Sequence, residues 1–246
     1  MKDLGLIVGS GFERLGFPVL TRSSTKTPYG EPSSALLTVG IGAARVTCLA
    51  RHGERHELAP HEVNYRANLW ALQQRGVRVC IGLNTVGAIA RDFLPGELAV
   101  PEQLIDYTYG RASSYAGGGE PVRHVDFTEP FAPLLRGRIA AAILECGGRA
   151  HGGVYGVTQG PRLETAAEIE RLRRDGCTMV GMTAMPEAAL ARELGLDYAI
   201  CALAVNHAAG CAPDGSPIET QMERHLTAGM EEVARVLTSF VGAHAV

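Results

Sequence analysis

Five places in the chain put small, hydroxylated, cationic or amide residues directly after an apolar run: Gly9-Ser10-Gly11, Arg51-His52, Asn84-Thr85, Met182-Thr183 and Asn206-His207. One arginine, one histidine and the hydroxyls of Ser10 and Thr183 can together hold a single phosphate. A guanidinium presents a planar fork of donors, and the backbone N–H groups of a glycine turn can approach an anion. Each signal alone is weak, because Ser10 also suits ordinary turn chemistry and His52 beside Arg51 also suits a surface pair. The segment Ala202–Gly210, ALAVNHAAG, raises a separate question. Its apolar run stops at the amide of Asn206, a group that donates and accepts at once.

Other chemistries lack their patterns. GSGFERLG has Gly9 and Gly11, but Arg14 stands where a dinucleotide fingerprint needs its third glycine. No GxxxxGK[ST] loop and no GxSxG elbow occurs. His52, His56 and His61 are spaced by four and five residues, but Pro60 interrupts them, so they share no helix face and do not read as a metal site.

The elements that must carry these clusters alternate. Leu4–Val8, Ala35–Val39, Arg45–Leu49, Val77–Leu83, Glu97–Val100, Gly153–Thr158, Thr178–Gly181 and Tyr198–Val205 read as strands, with a turn at Gly40-Ile41-Gly42. Glu62–Gln74 reads as a helix burying Val63, Ala67, Trp70 and Ala71. Glu129–Cys146, Glu164–Asp175, Pro186–Leu194 and Glu219–Val241 also read as helices. The last carries Met222, Leu226, Met230, Val233, Leu237 and Phe240 at three- and four-residue steps. Residues 106–123, with Gly117-Gly118-Gly119, read as a loop. Without linker, repeat or low-complexity tract, this predicts one α/β domain over residues 1–246, a central mixed twisted sheet with helices on both faces. Ligands of such folds gather at the carboxyl ends of the strands, where the five clusters fall.

Composition agrees. The chain has 246 residues, 46% of them hydrophobic, and a net charge of −3, with no basic footprint for nucleic acid or a membrane surface. Arg171, Arg173 and Arg174 lie among acids and read as a solvated helix face. The six cysteines are well separated, without a CxxC pair, and the N-terminus lacks the pattern of a signal peptide. No apolar run approaches the roughly 18 residues of a membrane span. These features predict a cytoplasmic protein.

Five ordered stretches resemble the trimeric purine nucleoside phosphorylase family, in its methylthioadenosine phosphorylase branch. They are VGSG (Val8–Gly11), LARHGERHELAPHEVNYRANLWAL (Leu49–Leu72), VRHVDFTEPF (Val122–Phe131), GPRLETAAE (Gly160–Glu168) and GMTAMPEAALARELGL (Gly181–Leu196). The resemblance implies phosphorolysis: nucleoside and phosphate give a free purine and a ribose 1-phosphate, with phosphate as co-substrate and no cofactor. It implies that Ser10, Arg51, His52, Thr85 and Thr183 hold phosphate, with Ser10 where the methylthioadenosine enzymes have threonine. Met182 would lie against the ribose. His124 would reach the 5′ end of the sugar in a neighbouring subunit, in a homotrimer or a dimer of trimers.

Within that frame Asn206 acquires a role. The methylthioadenosine enzymes carry two aspartates in this segment, whereas here Asn206 replaces the first and Ala208 the second. The Asn206 NH2 can donate to a 6-oxo group and its carbonyl can accept from a protonated N7. Glu164 resembles the glutamate of the oxopurine enzymes and can accept from purine N1–H, a donor that adenine lacks. Outside the family frame Glu164 reads as a first-turn helix acid. Leu163 stands where the family usually has a phenylalanine against the purine face, an apolar wall without a ring.

The 5′ side points to a thiomethyl group. Ala208, Ile218 and Met222 are small or apolar, although Met222 also fits the first core position of the last helix. The expected substrate is therefore S-methyl-5′-thioinosine. The alternatives are an inosine/guanosine phosphorylase, a methylthioadenosine phosphorylase, and a non-catalytic nucleoside- or phosphate-binding protein. His207 has no family counterpart and reads as a strand cap.

Overall fold

The computed structural model describes residues 3–117, 122 and 124–243. Residues 118–121 of the expected loop, with Gly118 and Gly119, and Arg123 of VRHVDFTEPF lie outside them. Eleven strands form one mixed sheet: β1 (Leu4–Val8), β2 (Val19–Ser23), β3 (Leu36–Ile41), β4 (Ala44–Ala50), β5 (Val79–Ala88), β6 (Leu98–Ala99), β7 (Gln103–Asp106), β8 (Ala150–His151), β9 (Val154–Val157), β10 (Met179–Gly181) and β11 (Asp197–His207). Among the described residues five α-helices flank it: α1 (Tyr65–Gln74), α2 (Pro133–Glu145), α3 (Ala166–Arg174), α4 (Ala184–Glu193) and α5 (Ile218–Gly242).

The sheet is organised about β5. β11 runs parallel to β5 from Asp197↔Val79 to His207↔Ala88. Along the opposite edge β1 pairs in parallel with Val79–Leu83, while β10 pairs antiparallel with Gly87 and Ala88. β1 and β10 thus run toward one another along one edge of β5, and their carboxyl ends meet beside Asn84–Val86. Parallel pairing of β1 with β4 brings the end of β4 to the same place. β5 and β11 are buried nearly throughout, which matches sequences that are apolar except at Asn84-Thr85 and at the two ends of β11. α5 packs so closely on β11 that a Cβ at Gly229 would lie 2.5 Å from Leu203.

Local chemistry moved several boundaries. α1 begins at Tyr65 rather than Glu62 because the Asn64 side chain caps it, accepting from the Ala67 N–H at 3.2 Å. Its buried face carries Tyr65, Asn68, Leu69 and Leu72 beside Ala67 and Ala71, and Trp70 is only half-buried. α3 begins after Thr165, which forms a capping box with Glu168. β3 continues through Gly40 and Ile41, so the turn falls at Gly42 and Ala43.

Candidate active site

A cavity of about 480 Å³ opens where the strand ends meet. Its wall takes Ser10 from the turn after β1, Arg51 and His52 from the end of β4, Thr85 from β5, Met182 and Thr183 from the end of β10, and Asn206 from β11. Leu163, Glu164, Ala208, Ile218 and Met222 also line it. Of the residues expected at the site, His124 alone stands apart: it is exposed and is not part of the cavity wall.

Arg51 is not half of the surface pair that its neighbour His52 also suggested. It is fully buried, and its Nε and Nη2 donate to Glu187 at 2.7 and 2.9 Å. Nη2 also donates to Asn84 Oδ1 at 3.1 Å and to the Ile7 carbonyl at 3.3 Å, and Nη1 donates to the Leu83 carbonyl at 3.1 Å. Burial opposes its charge, but the Glu187 carboxylate outweighs that and holds the guanidinium ionised. With every other N–H engaged, the second hydrogen of Nη1 is the donor left for a ligand. Glu187, on α4, is itself fully buried and accepts from Tyr198 Oη at 2.7 Å.

His52 Nδ1 lies 2.8 Å from the Leu58 carbonyl, an acceptor only, so Nδ1 carries the proton and Nε2 a lone pair. Burial and then the Arg51 charge lower its pKa to about 4. Neutral His52 can therefore take a hydrogen bond from the P–OH of a hydrogen phosphate rather than donate to it. Its ring packs at a tilt of 41° against His56, 4.7 Å between centroids, and His56 adopts the left-handed φ of 58°. Thr183 Oγ1 accepts from Asn84 Nδ2 at 2.9 Å, which turns its own O–H toward other acceptors. At Gly9 a Cβ would sit 3.0 Å from Arg51 Nη1, so only glycine allows this approach without displacement.

On the opposite wall, the β5–β11 register shifts between Ala204 and Asn206. The bulge at Val205 re-aims the side chain that follows it. Asn206 Nδ2 donates to the His207 carbonyl at 2.7 Å, leaving its second hydrogen and Oδ1 for a ligand. Gln221 of α5 holds this end of β11: its Oε1 accepts from the His207 N–H at 2.9 Å. Glu164 Oε1 accepts from Thr158 Oγ1 at 2.5 Å. Leu163 is 43% exposed.

Four residues that organise this site carried no role in the sequence reading: Asn84, Glu187, Gln221 and Arg111. Arg111 lies in the segment read as a loop. Its Nη1 donates to the carbonyls of Met182 and Met185 at 2.8 and 2.6 Å, and its Nη2 to that of Gln159 at 2.8 Å. It thereby ties the β10–α4 turn to the loop bearing Glu164. Only the strand-end position of Asn84 hinted at function beforehand.

The sequence profile of the phosphorylase superfamily matches residues 3–242. The chain belongs to the phosphorylase superfamily. A relative of this phosphorylase, a probable S-methyl-5′-thioinosine phosphorylase of Xanthomonas campestris pv. campestris, is 52% identical over 85% of this chain and 84% of its own. A 6-oxopurine nucleoside phosphorylase of Pyrococcus furiosus is 42% identical over 85% of this chain and 81% of its own. Among solved structures, a methylthioadenosine phosphorylase of Schistosoma mansoni in complex with adenine superposes with a TM-score of 0.91 at 28% identity, covering 100% of this chain and 92% of its own. The phosphorylase has no described helix long and apolar enough to cross a membrane. No described cluster of three or more histidine, cysteine or acidic side chains could hold a metal.

Proposed function

We propose that the protein cleaves S-methyl-5′-thioinosine with phosphate, giving hypoxanthine and 5-methylthioribose 1-phosphate. The observation that carries this reading is the joint presence of Asn206, Glu164, Ala208, Ile218 and Met222 in the lining of one cavity. Asn206 offers a donor to O6 and an acceptor to N7–H, and Glu164 an acceptor to N1–H. The apolar side chains suit a thiomethyl group, whereas a buried 5′-hydroxyl would need a partner.

The chemistry follows from charge. The C1′–N9 bond breaks with its electron pair passing to the purine, leaving an oxocarbenium-like sugar. A phosphate oxygen then forms the new bond at C1′, and the proton of hydrogen phosphate balances that gained by the leaving purine. No protein nucleophile is needed. The side chains proposed for phosphate (Ser10, Arg51, His52, Thr85 and Thr183) add little net positive charge. Arg51 is neutralised by Glu187, and His52 is neutral. The phosphate keeps its negative charge and can stabilise the cationic sugar. The same reading makes the protein a cytoplasmic homotrimer in which His124 of a neighbouring copy completes the 5′ end, with phosphate as co-substrate and no cofactor.

The test is the initial rate on methylthioinosine, methylthioadenosine and inosine, with and without phosphate. Fastest release of hypoxanthine from methylthioinosine, only with phosphate, is the expected result. Preference for inosine would overturn the 5′ assignment and keep the base assignment. Preference for methylthioadenosine would overturn the roles of Asn206 and Glu164.

A further inference from the structure

Glu164 stands on the partition between the main cavity and a second cleft of about 240 Å³. That cleft carries the guanidinium groups of Arg162 and Arg171, whose mapped ion pairs are with Glu168 and Asp175. A glutamate side chain has three torsions and no branch at Cβ, so its backbone alone does not keep the carboxylate at the cavity. The Arg162 guanidinium on the cleft side attracts it the other way, in competition with Glu168, which already pairs with that cation. The bond from Thr158 Oγ1 opposes that drift.

Thr158 is well placed to do so. It follows β9, its N–H donates to the Gly181 carbonyl at 2.9 Å, and its own carbonyl accepts from Arg111 at 3.4 Å. β-branching restricts its χ1. The other acceptor within reach of its hydroxyl, the Gly181 carbonyl, is 3.4 Å away, against 2.5 Å for Glu164. Thr158 is not part of the main cavity wall, so it acts on substrate only through Glu164.

We propose that Thr158 is a positioning residue for base discrimination: its hydroxyl engages Glu164 Oε1 and leaves Oε2 for the purine N1–H. This rests on the reading of Glu164 as the N1 acceptor. Thr158→Val keeps the shape and removes the donor, and Thr158→Ser keeps the donor. kcat and KM are measured for both variants on methylthioinosine and methylthioadenosine, with KM for phosphate alongside. Thr158→Val is expected to lose about ten- to a hundredfold in kcat/KM on the oxopurine nucleoside, the range for a hydrogen bond to a charged group. The 6-amino nucleoside and the phosphate KM should move less than about threefold, and Thr158→Ser should recover most of the loss.

Equal losses on both nucleosides, a raised phosphate KM, or no change would overturn the proposal. If Thr158→Val does not fold, Thr158→Ala carries the same comparison. Glu164→Ala separates the two levels. If it leaves base preference unchanged, the reading of Glu164 falls and Thr158 falls with it. If it shifts base preference while Thr158→Val does not, only the role of Thr158 is lost.

Discussion

Asn84 donates to Thr183 Oγ1 at 2.9 Å, and that one bond decides which way the hydroxyl proposed to hold phosphate points. A hydroxyl that accepts from an amide is free to donate its own hydrogen elsewhere. Asn84 also accepts from Arg51 at 3.1 Å, so it holds two of the side chains proposed for phosphate at once. Asn84→Asp would reverse the first bond, because a carboxylate can only accept and would draw the Thr183 hydrogen to itself. Phosphate KM should rise about tenfold or more, with nucleoside KM changed far less, given the usual strength of one hydrogen bond to an anion. Steady-state kinetics with phosphate varied at saturating nucleoside checks this, and an unchanged phosphate KM would remove Thr183 from the phosphate site.

Base choice should follow the amide of Asn206. Asn206→Asp deletes the donor expected to meet O6 and places an acceptor where a 6-amino group could donate. The ratio of kcat/KM for methylthioinosine over methylthioadenosine should fall about a hundredfold or more. The aspartate would also face the His207 carbonyl that Asn206 now bonds at 2.7 Å, so some loss of stability should accompany the change. Measuring the ratio rather than either rate alone removes that contribution. A ratio left where it was would mean that the amide does not read the base.

The strands and helices legible in the sequence were those with a clear apolar period or run, and β1 was read to its ends. β2 escaped because Val19–Thr21 and Arg22 are exposed and show no buried alternation, and β7 because its ends are exposed. Ser10, Arg51, His52, Thr183 and Asn206 were legible because they sit at or near strand ends, where topology rather than detailed packing puts them, whereas Leu163 and Glu164 were legible only through the family resemblance. The groups that set those residues were not. Glu187 follows Pro186 in the first turn of α4 and reads as an ordinary helix acid, yet it is the partner of Arg51 across 136 residues. Arg111 sits in a glycine- and serine-rich loop, and its carbonyl partners have no signature at all. Such pairings depend on the sheet order, and local sequence carries little trace of it.

Protonation of His52 should cost the folded protein stability in acid. The folded state holds this imidazole neutral down to about pH 4, while the unfolded chain takes up its proton near 6.5. The unfolded state therefore binds more protons between those values. The contribution is complete above about pH 6.5 and is lost progressively as pH falls to about 4. A shift of this size corresponds to about 3 kcal/mol. Urea unfolding at pH 7 and pH 4.5, on the native protein and on His52→Asn, isolates it. Asparagine keeps a donor for the Leu58 carbonyl but does not titrate, so the variant should lose less stability over that interval. Equal losses would mean that His52 titrates normally in the folded protein.

Arg111 should affect every substrate alike, which distinguishes it from Asn206. Its guanidinium spans the carbonyls of Met182 and Met185 on one side and of Gln159 on the other, while its charge lies over the Tyr65 ring at 5.7 Å. Those carbonyls belong to the two segments carrying Met182, Thr183 and Glu164. Without the brace both segments lose their mutual register, and displacements near 1 Å are enough to cost about a hundredfold in rate. Arg111→Ala should therefore lose between about ten- and a hundredfold in kcat/KM on methylthioinosine and methylthioadenosine together, with their ratio nearly constant. Leaving several carbonyls without a donor should also destabilise the fold by about 2–4 kcal/mol. Arg111→Lys, with a single ammonium in place of the fork, should recover little of either. The decisive comparison is the substrate ratio beside the urea midpoint: a changed ratio would place Arg111 in base recognition, and an unchanged midpoint would show that the brace carries no load.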